Sequence, residues 1–179
     1  MYKTTGGNNP GRTRVLVEGA LCVALSVVFS YLKIFSMPQG GSVTIEMAPL
    51  LYFAYRHGLK WGLIAGALSG SIQLIFGGYV VHPAQAFLDY PAAFACMGIA
   101  GLFGQGMGEM VAGTVIASAA RLACHVLSGV IFFASYAPEG TNVWLYSFIY
   151  NATFMLPSVL LSAALALILR KKFLKSERI

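Results

Sequence analysis

Charge is what this sequence has least of. Only 10% of its 179 residues are Asp, Glu, Lys or Arg, and just six are acidic. A soluble domain carries roughly 25–35% of such residues on its surface, so an ordinary water-facing exterior is excluded. Cysteine is scarce as well. Cys22, Cys96 and Cys124 stand singly in apolar stretches without CxxC spacing, which indicates neither a disulfide framework nor a zinc site and leaves them as packing residues. There is no GxxxxGK[ST] loop and no polar stretch long enough for a soluble nucleotide-binding domain, so the chain has no phosphate cradle of that kind for ATP hydrolysis.

What is abundant is apolar sequence, at 58% hydrophobic residues and a mean hydropathy of +0.73. Six apolar runs, approximately 15–35, 45–55, 59–76, 83–103, 110–134 and 143–169, are separated by GGS, RHG, GG, GQGMG and PEG punctuation. The longer runs can cross about 30 Å of hydrocarbon at about 1.5 Å per residue. The first is too long for a signal-peptide core, lacks a clear small-x-small cleavage site and is followed by more membrane-like sequence, so it is read as a retained helix. The pattern predicts an all-α polytopic membrane protein with six transmembrane helices. The second helix is short, either extended by Ser42–Thr44 or re-entrant.

The formal charge of +6 would suit nucleic acid only if it formed a patch or stripe, and it does not. Lys3, Arg12 and Arg14 precede the first run. Arg56 and Lys60 flank the turn between the second and third, and Arg170, Lys171, Lys172, Lys175 and Arg178 end the chain. With six crossings these ten fall on one side, which the positive-inside rule makes cytoplasmic, as are both termini. The chain therefore reads as one integral-membrane binding domain, 1–179, with cytoplasmic tails at 1–14 and 171–179. Small residues at Ala20 and Ala24, and at Gly62, Gly66 and Gly70, have helix-packing spacing and suit either internal packing or a second membrane protein.

Ionisable groups at membrane depth are costly and therefore mark candidate sites. Glu18 and Glu46 fall near helix ends and read as solvated or structural. Asp89 lies about two turns below the outer end of the fourth segment, while Arg121 and His125 share one face of the fifth, continued by Gly129 and Phe133. Trp144, Tyr146, Tyr150 and Asn151 occupy the outer half of the sixth. A carboxylate, an imidazole, a carboxamide and aromatic faces suit a small planar cation. Bland alternatives stand beside this: Asp89 pairs with Arg121 to neutralise it, His125 is an interhelical hydrogen-bond donor, and the Trp and Tyr residues form an interfacial belt. The loops Ser36–Ser42 and Gly77–Gln85, the latter with Tyr79 and His82, either cover a ligand or are surface turns.

At SMPQGGS (36–42), GGYVVHPAQAFLDYP (77–91), RLACHVLSG (121–129) and YSFIYN (146–151) the sequence resembles the ThiT family. These are the thiamine-binding subunits, or S components, of energy-coupling-factor (ECF) vitamin importers. The resemblance spans residues 15–172 and implies a non-enzymatic protein of the bacterial cell membrane. It would capture thiamine outside and release it inside, with ATP used by two ATPase subunits acting through a membrane coupling subunit, the T component. It implies no intrinsic cofactor. Carried over residue by residue, it places ligand contacts at Phe35, Tyr79, Asp89, Tyr90, His125, Gly129, Phe133, Tyr146 and Asn151, and partner docking at Ala20 and Ala24.

Three positions depart from the family pattern. Phe133 and Phe35 stand where Trp is expected, which removes the indole N–H and the strongest cation–π platform. Asp89 stands for Glu, with a reach shorter by one methylene. The alternative function is an autonomous proton-coupled transporter of a related cationic metabolite, using Asp89, Arg121 and His125. An intramembrane enzyme lacks a nucleophile or metal-ligand motif to accompany Asp89 and His125.

Overall fold

Five helical runs, one 3₁₀ turn at Ala134–Tyr136 and one short β-hairpin make up the computed structural model, which describes residues 10–173. The tail residues 1–9 and 174–179, with Lys3, Lys175 and Arg178, lie outside the described residues. Helix α1 (Pro10–Tyr31) opens on a proline, whose missing N–H costs nothing in a first turn. Strands β1 (Phe35–Ser36) and β2 (Ser42–Val43) pair antiparallel, with Phe35 opposite Val43 and Ser36 opposite Ser42. Then come α2 (Met47–Ile75), a composite helix α3 over 83–102, α4 (Met107–Phe132) and α5 (Val143–Phe173).

The second and third apolar runs form the single element α2, broken at Gly58, whose φ of 83° and ψ of −179° are not helical. The break is a reversal. Residues 54 and 62 of a straight helix would lie about 12 Å apart, yet a Cβ on Gly62 would stand 2.8 Å from the Ala54 Cβ. The limb before Gly58 is short because it is the centre of the bundle. Met47, Ala48, Leu50, Leu51, Phe53, Ala54 and Tyr55 are all buried, and the Tyr55 hydroxyl donates to the Met110 carbonyl.

The limb after Gly58 packs on α3 through its small residues. A Cβ at Gly66 would collide with the Phe94 carbonyl, one at Gly70 with that of Tyr90, and one at Gly98 with the Leu63 amide. The glycine stripe is thus an internal backbone-to-backbone contact, one of the two uses open from sequence. α3 is irregular for a covalent reason. Pro91 has no N–H to give, and the helix widens into a π turn at Leu88–Ala92 between α-helical Pro83–Phe87 and Ala93–Ala95, then tightens to 3₁₀ over Cys96–Leu102.

Among the described residues, three helices are long and apolar enough to cross a membrane by length and composition: Gly11–Tyr31, Met107–Phe132 and Val143–Arg170. Their outer faces expose Leu16, Leu21, Leu25, Val115, Ile116, Ile131, Leu160 and Ile168, a surface suited to lipid and not to water. The buried interior holds the polar groups, among them Glu46, Gln85, Arg121, His125, Ser128 and Asn151. The architecture is an all-α membrane-type bundle. Two details differ from the periodicity: α1 ends at Tyr31, so Phe35 is strand, and the second and third runs share one broken helix.

Candidate functional site

A cavity of about 280 Å³ lies among the β-hairpin, α2, α3, α4 and α5, near the lower end for small-molecule sites, about 300 Å³. Local sequence chemistry sets each wall. His82 caps α3 by accepting the Ala84 amide on Nδ1 at 3.1 Å, and Pro83 follows at the first position. One turn on, Gln85 and Asp89 are four residues apart on one face, and Gln85 Nε2 donates to Asp89 Oδ2 at 2.7 Å. Gln85 is itself fixed, accepting from the Val81 amide at 3.0 Å and donating to the Tyr79 carbonyl at 3.1 Å.

On α4 the spacing of Arg121, His125 and Ser128 keeps all three on the inner face. Ser128 Oγ donates to Asp89 Oδ2 at 2.7 Å, and His125 Nδ1 meets Asp89 Oδ1 at 2.9 Å. Arg121 Nε donates to His125 Nε2 at 3.4 Å. With Nε2 accepting, the imidazole carries its proton on Nδ1 and gives it to Asp89. Arg121, 5% exposed, sends NH2 to Glu46 Oε1 at 2.8 Å and lies 4.0 Å over the Phe94 ring. The chain Glu46–Arg121–His125–Asp89 therefore runs continuously along the cavity wall.

This geometry decides between alternatives that the sequence left open. Asp89 does not neutralise Arg121; Glu46 does, so Glu46 is a buried structural counter-ion and not a solvated end residue. Asp89 is left as a carboxylate held by three uncharged donors and lining the cavity. Nor is Glu18 merely solvated: it pairs with Arg14 one turn back on α1 at 2.9 Å and joins α1 to the turn of α2 through Arg56 at 2.8 Å and His57 at 2.7 Å.

Aromatic rings complete the walls. Tyr79 and Phe133 stack with centroids 6.1 Å apart and 29° between planes, and Phe133 meets Tyr136 at 6.1 Å. Tyr146 and Tyr150 tilt together at 6.1 Å, and Phe154 stands edge-on to both Tyr150 and His125. Tyr90 donates no charge to this wall; its hydroxyl accepts the Tyr79 amide at 2.6 Å and so holds the loop against α3. Hydrogen bonding to Tyr136 pushes the exposed Tyr79 phenol up from its ordinary range.

Gly129 is required for close approach, because a Cβ there would collide with Ser147 Oγ. That contact lets Ser147 donate to the Val126 carbonyl at 3.0 Å and Asn151 Nδ2 reach the His125 carbonyl at 3.4 Å, while within α5 the same Nδ2 donates to the Ser147 carbonyl at 2.9 Å.

Of the sequence-predicted ligand residues, Tyr79, Asp89, Tyr90, His125, Gly129, Phe133, Tyr146 and Asn151 line this one cavity. Phe35 does not; it is 55% exposed on β1. Trp144 is also exposed, in keeping with the belt reading, and His82 stacks on Phe132 at 5.0 Å. Ser128, Ser147, Glu46 and Phe94 line the cavity without having been singled out as site residues. Ser128 was legible as the next member of the Arg121–His125 face; Glu46 was not, because its partner is 75 residues away. Ala20 and Ala24 are exposed on the outer face of α1. Among the described residues no group of three or more His, Cys, Asp and Glu side chains could hold a metal ion.

Residues 16–177 match the family described as thiamine transporter protein (Thia_YuaJ). The chain is 40% identical over 182 residues to the thiamine transporter ThiT of Bacillus subtilis (strain 168), covering 91% of this chain and 95% of that one. It is 32% identical over 165 residues to the thiamine transporter ThiT of Lacticaseibacillus paracasei, covering 83% and 82%. Among solved structures it is similar to ThiT from Listeria monocytogenes, with a TM-score of 0.84, 27% identity and coverage of 92% and 97%. The fold is also that of a structure described as the S component of a bacterial ECF transporter, with a TM-score of 0.62, 18% identity and coverage of 89% and 95%.

Proposed function

Because the chain belongs to the thiamine transporter protein (Thia_YuaJ) family, we propose that it is the thiamine-binding S component of an ECF-type importer in the bacterial cell membrane, a binding subunit and not an enzyme. The observation that carries this reading is the state of Asp89. Its carboxylate lines the cavity and is hydrogen-bonded by Gln85, His125 and Ser128, while the one guanidinium nearby is committed to Glu46. A half-buried carboxylate that lines the cavity and is held by uncharged donors favours a cationic ligand, and the rings of Tyr79, Phe133 and Tyr146 add quadrupolar attraction for a heteroaromatic cation.

In this reading Asp89, His125, Tyr146 and Asn151 address the polar edge of thiamine, Tyr79, Tyr90 and Phe133 its ring faces, and Gly129 leaves room between α4 and α5. Phe35 would join only through movement of the hairpin. Six crossings, counting the two limbs of α2 separately, leave both termini cytoplasmic with residues 1–14 and 171–179 as tails of a single binding domain. The exposed Ala20 and Ala24 let a T-component helix approach α1 closely, and two ATPase subunits supply the energy. Reorientation of the loaded subunit then releases thiamine inside.

The direct test is titration of the detergent-purified chain with thiamine, followed by tryptophan fluorescence and calorimetry. Saturable binding is the expected result. A flat titration by both methods removes thiamine as the ligand.

A further inference from the structure

The hairpin that roofs the cavity is held at its two ends by different means, and we propose that the Tyr150 hydroxyl is the latch that sets how fast ligand enters and leaves. The inference rests on the thiamine-binding reading above and adds a positioning residue to it.

At its base the hairpin is packed. Val43 is buried with Phe154 and Met155, and Ser158 Oγ accepts the Thr44 amide at 3.1 Å. At its tip the packing is lighter: Met37 reaches the same cluster and Gly41 lies against the Phe154 ring, but Ser36 and Pro38 are exposed, and the chain turns through Gly40 and Gly41, each with φ of 88°. Among the described residues, the hydrogen bonds from residues 37–41 to another element both go to one atom. Tyr150 Oη accepts the Gln39 amide at 2.9 Å and donates to the Gly40 carbonyl at 3.0 Å.

One phenol therefore uses its donor and an acceptor site on the roof of the cavity, 110 residues away in sequence. Its ring is in turn held by Tyr146 and Phe154, so the hydroxyl is presented from a fixed position on α5. Gln39, Gly40, Gly41 and Ser42 all line the cavity. When the two hydrogen bonds break together, the tip can lift, with Met37 leaving its contact, about a base that stays packed. The two positive-φ glycines make the tip adaptable, since neither pays the steric penalty of a side chain there.

Tyr150→Phe (Y150F) keeps the ring and its contacts and deletes both hydrogen bonds. Thiamine dissociation, followed by chasing preloaded protein with excess unlabelled thiamine, should accelerate about tenfold, the scale expected for two neutral hydrogen bonds. Dissociation within about twofold of the parent rate overturns the latch. A role confined to ring packing would predict that unchanged rate, because the ring is retained.

A second measurement needs no ligand. Hydrogen exchange of the parent protein should find the Gln39 amide protected, and Y150F should speed its exchange by about the same factor. A Gln39 amide that exchanges at the unprotected rate in the parent protein overturns the latch. Failure of thiamine to bind at all would instead sink the functional reading, and the amide exchange would then decide the latch by itself.

Discussion

Asp89 on α3 and His125 on α4 meet at 2.9 Å, and the imidazole nitrogen that faces Asp89 is the one left protonated by the Arg121 contact on the opposite side. The imidazole therefore acts as a neutral donor that holds the carboxylate at the cavity wall. The buried ion pair and the proposed ligand carboxylate are thus joined in one chain of contacts, in which Glu46 absorbs the Arg121 charge and Asp89 keeps its own.

Removing the Asp89 charge while keeping its shape should separate binding from folding. Asp89→Asn (D89N) is predicted to weaken thiamine binding by about 10- to 100-fold, the scale of a charge-assisted hydrogen bond, about 1.5–3 kcal/mol. His125→Ala (H125A) should weaken it as well, by freeing the carboxylate. Calorimetry measures both, with thermal unfolding to verify that the variants are folded. Unchanged affinity in both variants would remove the cavity as the thiamine site.

The Arg121–Glu46 pair should behave in the opposite way, as a stability element. Breaking a buried ion pair by removing one partner strands a charge and costs about 3–5 kcal/mol. Glu46→Gln (E46Q) and Arg121→Met (R121M) are each predicted to lower the unfolding midpoint sharply, and E46Q/R121M together should recover part of the loss. A double variant that loses the sum of the single effects would mean the two side chains are not coupled, which a double-mutant cycle reads directly.

Phe133 offers a gain instead of a loss. It stacks on Tyr79 at 6.1 Å within the cavity wall, and a larger indole at that position has a stronger quadrupole. Phe133→Trp (F133W) should tighten thiamine binding about two- to fivefold, from the ~0.5–1 kcal/mol of a cation–π contact. If thiamine is instead bound more weakly, the cavity is too full at Phe133 for the extra ring.

Much of this site could be read from the order of residues because its walls are helical. Arg121, His125 and Ser128 fall on one face of α4 whatever surrounds them, and the same holds for Gln85 with Asp89 and for Ser147 with Asn151. The membrane-type bundle was legible for an equally local reason, since long apolar runs leave the backbone few other ways to be satisfied. What escaped is non-local. Glu46 and Arg121 find each other across 75 residues, and no period encodes that. Gly58 looked like punctuation between two helices, but its positive φ makes a reversal that puts Ala54 against Gly62. Phe35 was carried to the site by resemblance; its backbone belongs to a two-residue strand whose pairing depends on Val43 being buried.

The outer face of α1 should matter only when partners are present. Ala20 and Ala24 are exposed, whereas Cys22, Val23 and Ser26 face inward and Ser26 Oγ accepts from Ser69 Oγ at 2.9 Å. Adding bulk to the outward positions leaves these inner contacts intact. Ala20→Leu with Ala24→Leu is predicted to keep thiamine affinity and thermal stability while lowering ATP-dependent uptake about tenfold or more in vesicles that also contain the coupling and ATPase subunits, because small residues are what permit close helix approach in lipid. Vesicles holding this chain alone should bind thiamine without concentrating it, even under a proton gradient. Concentrative uptake in that sample would favour a proton-coupled carrier instead, and loss of binding by the double variant would mean that the α1 face supports the cavity and not only a partner.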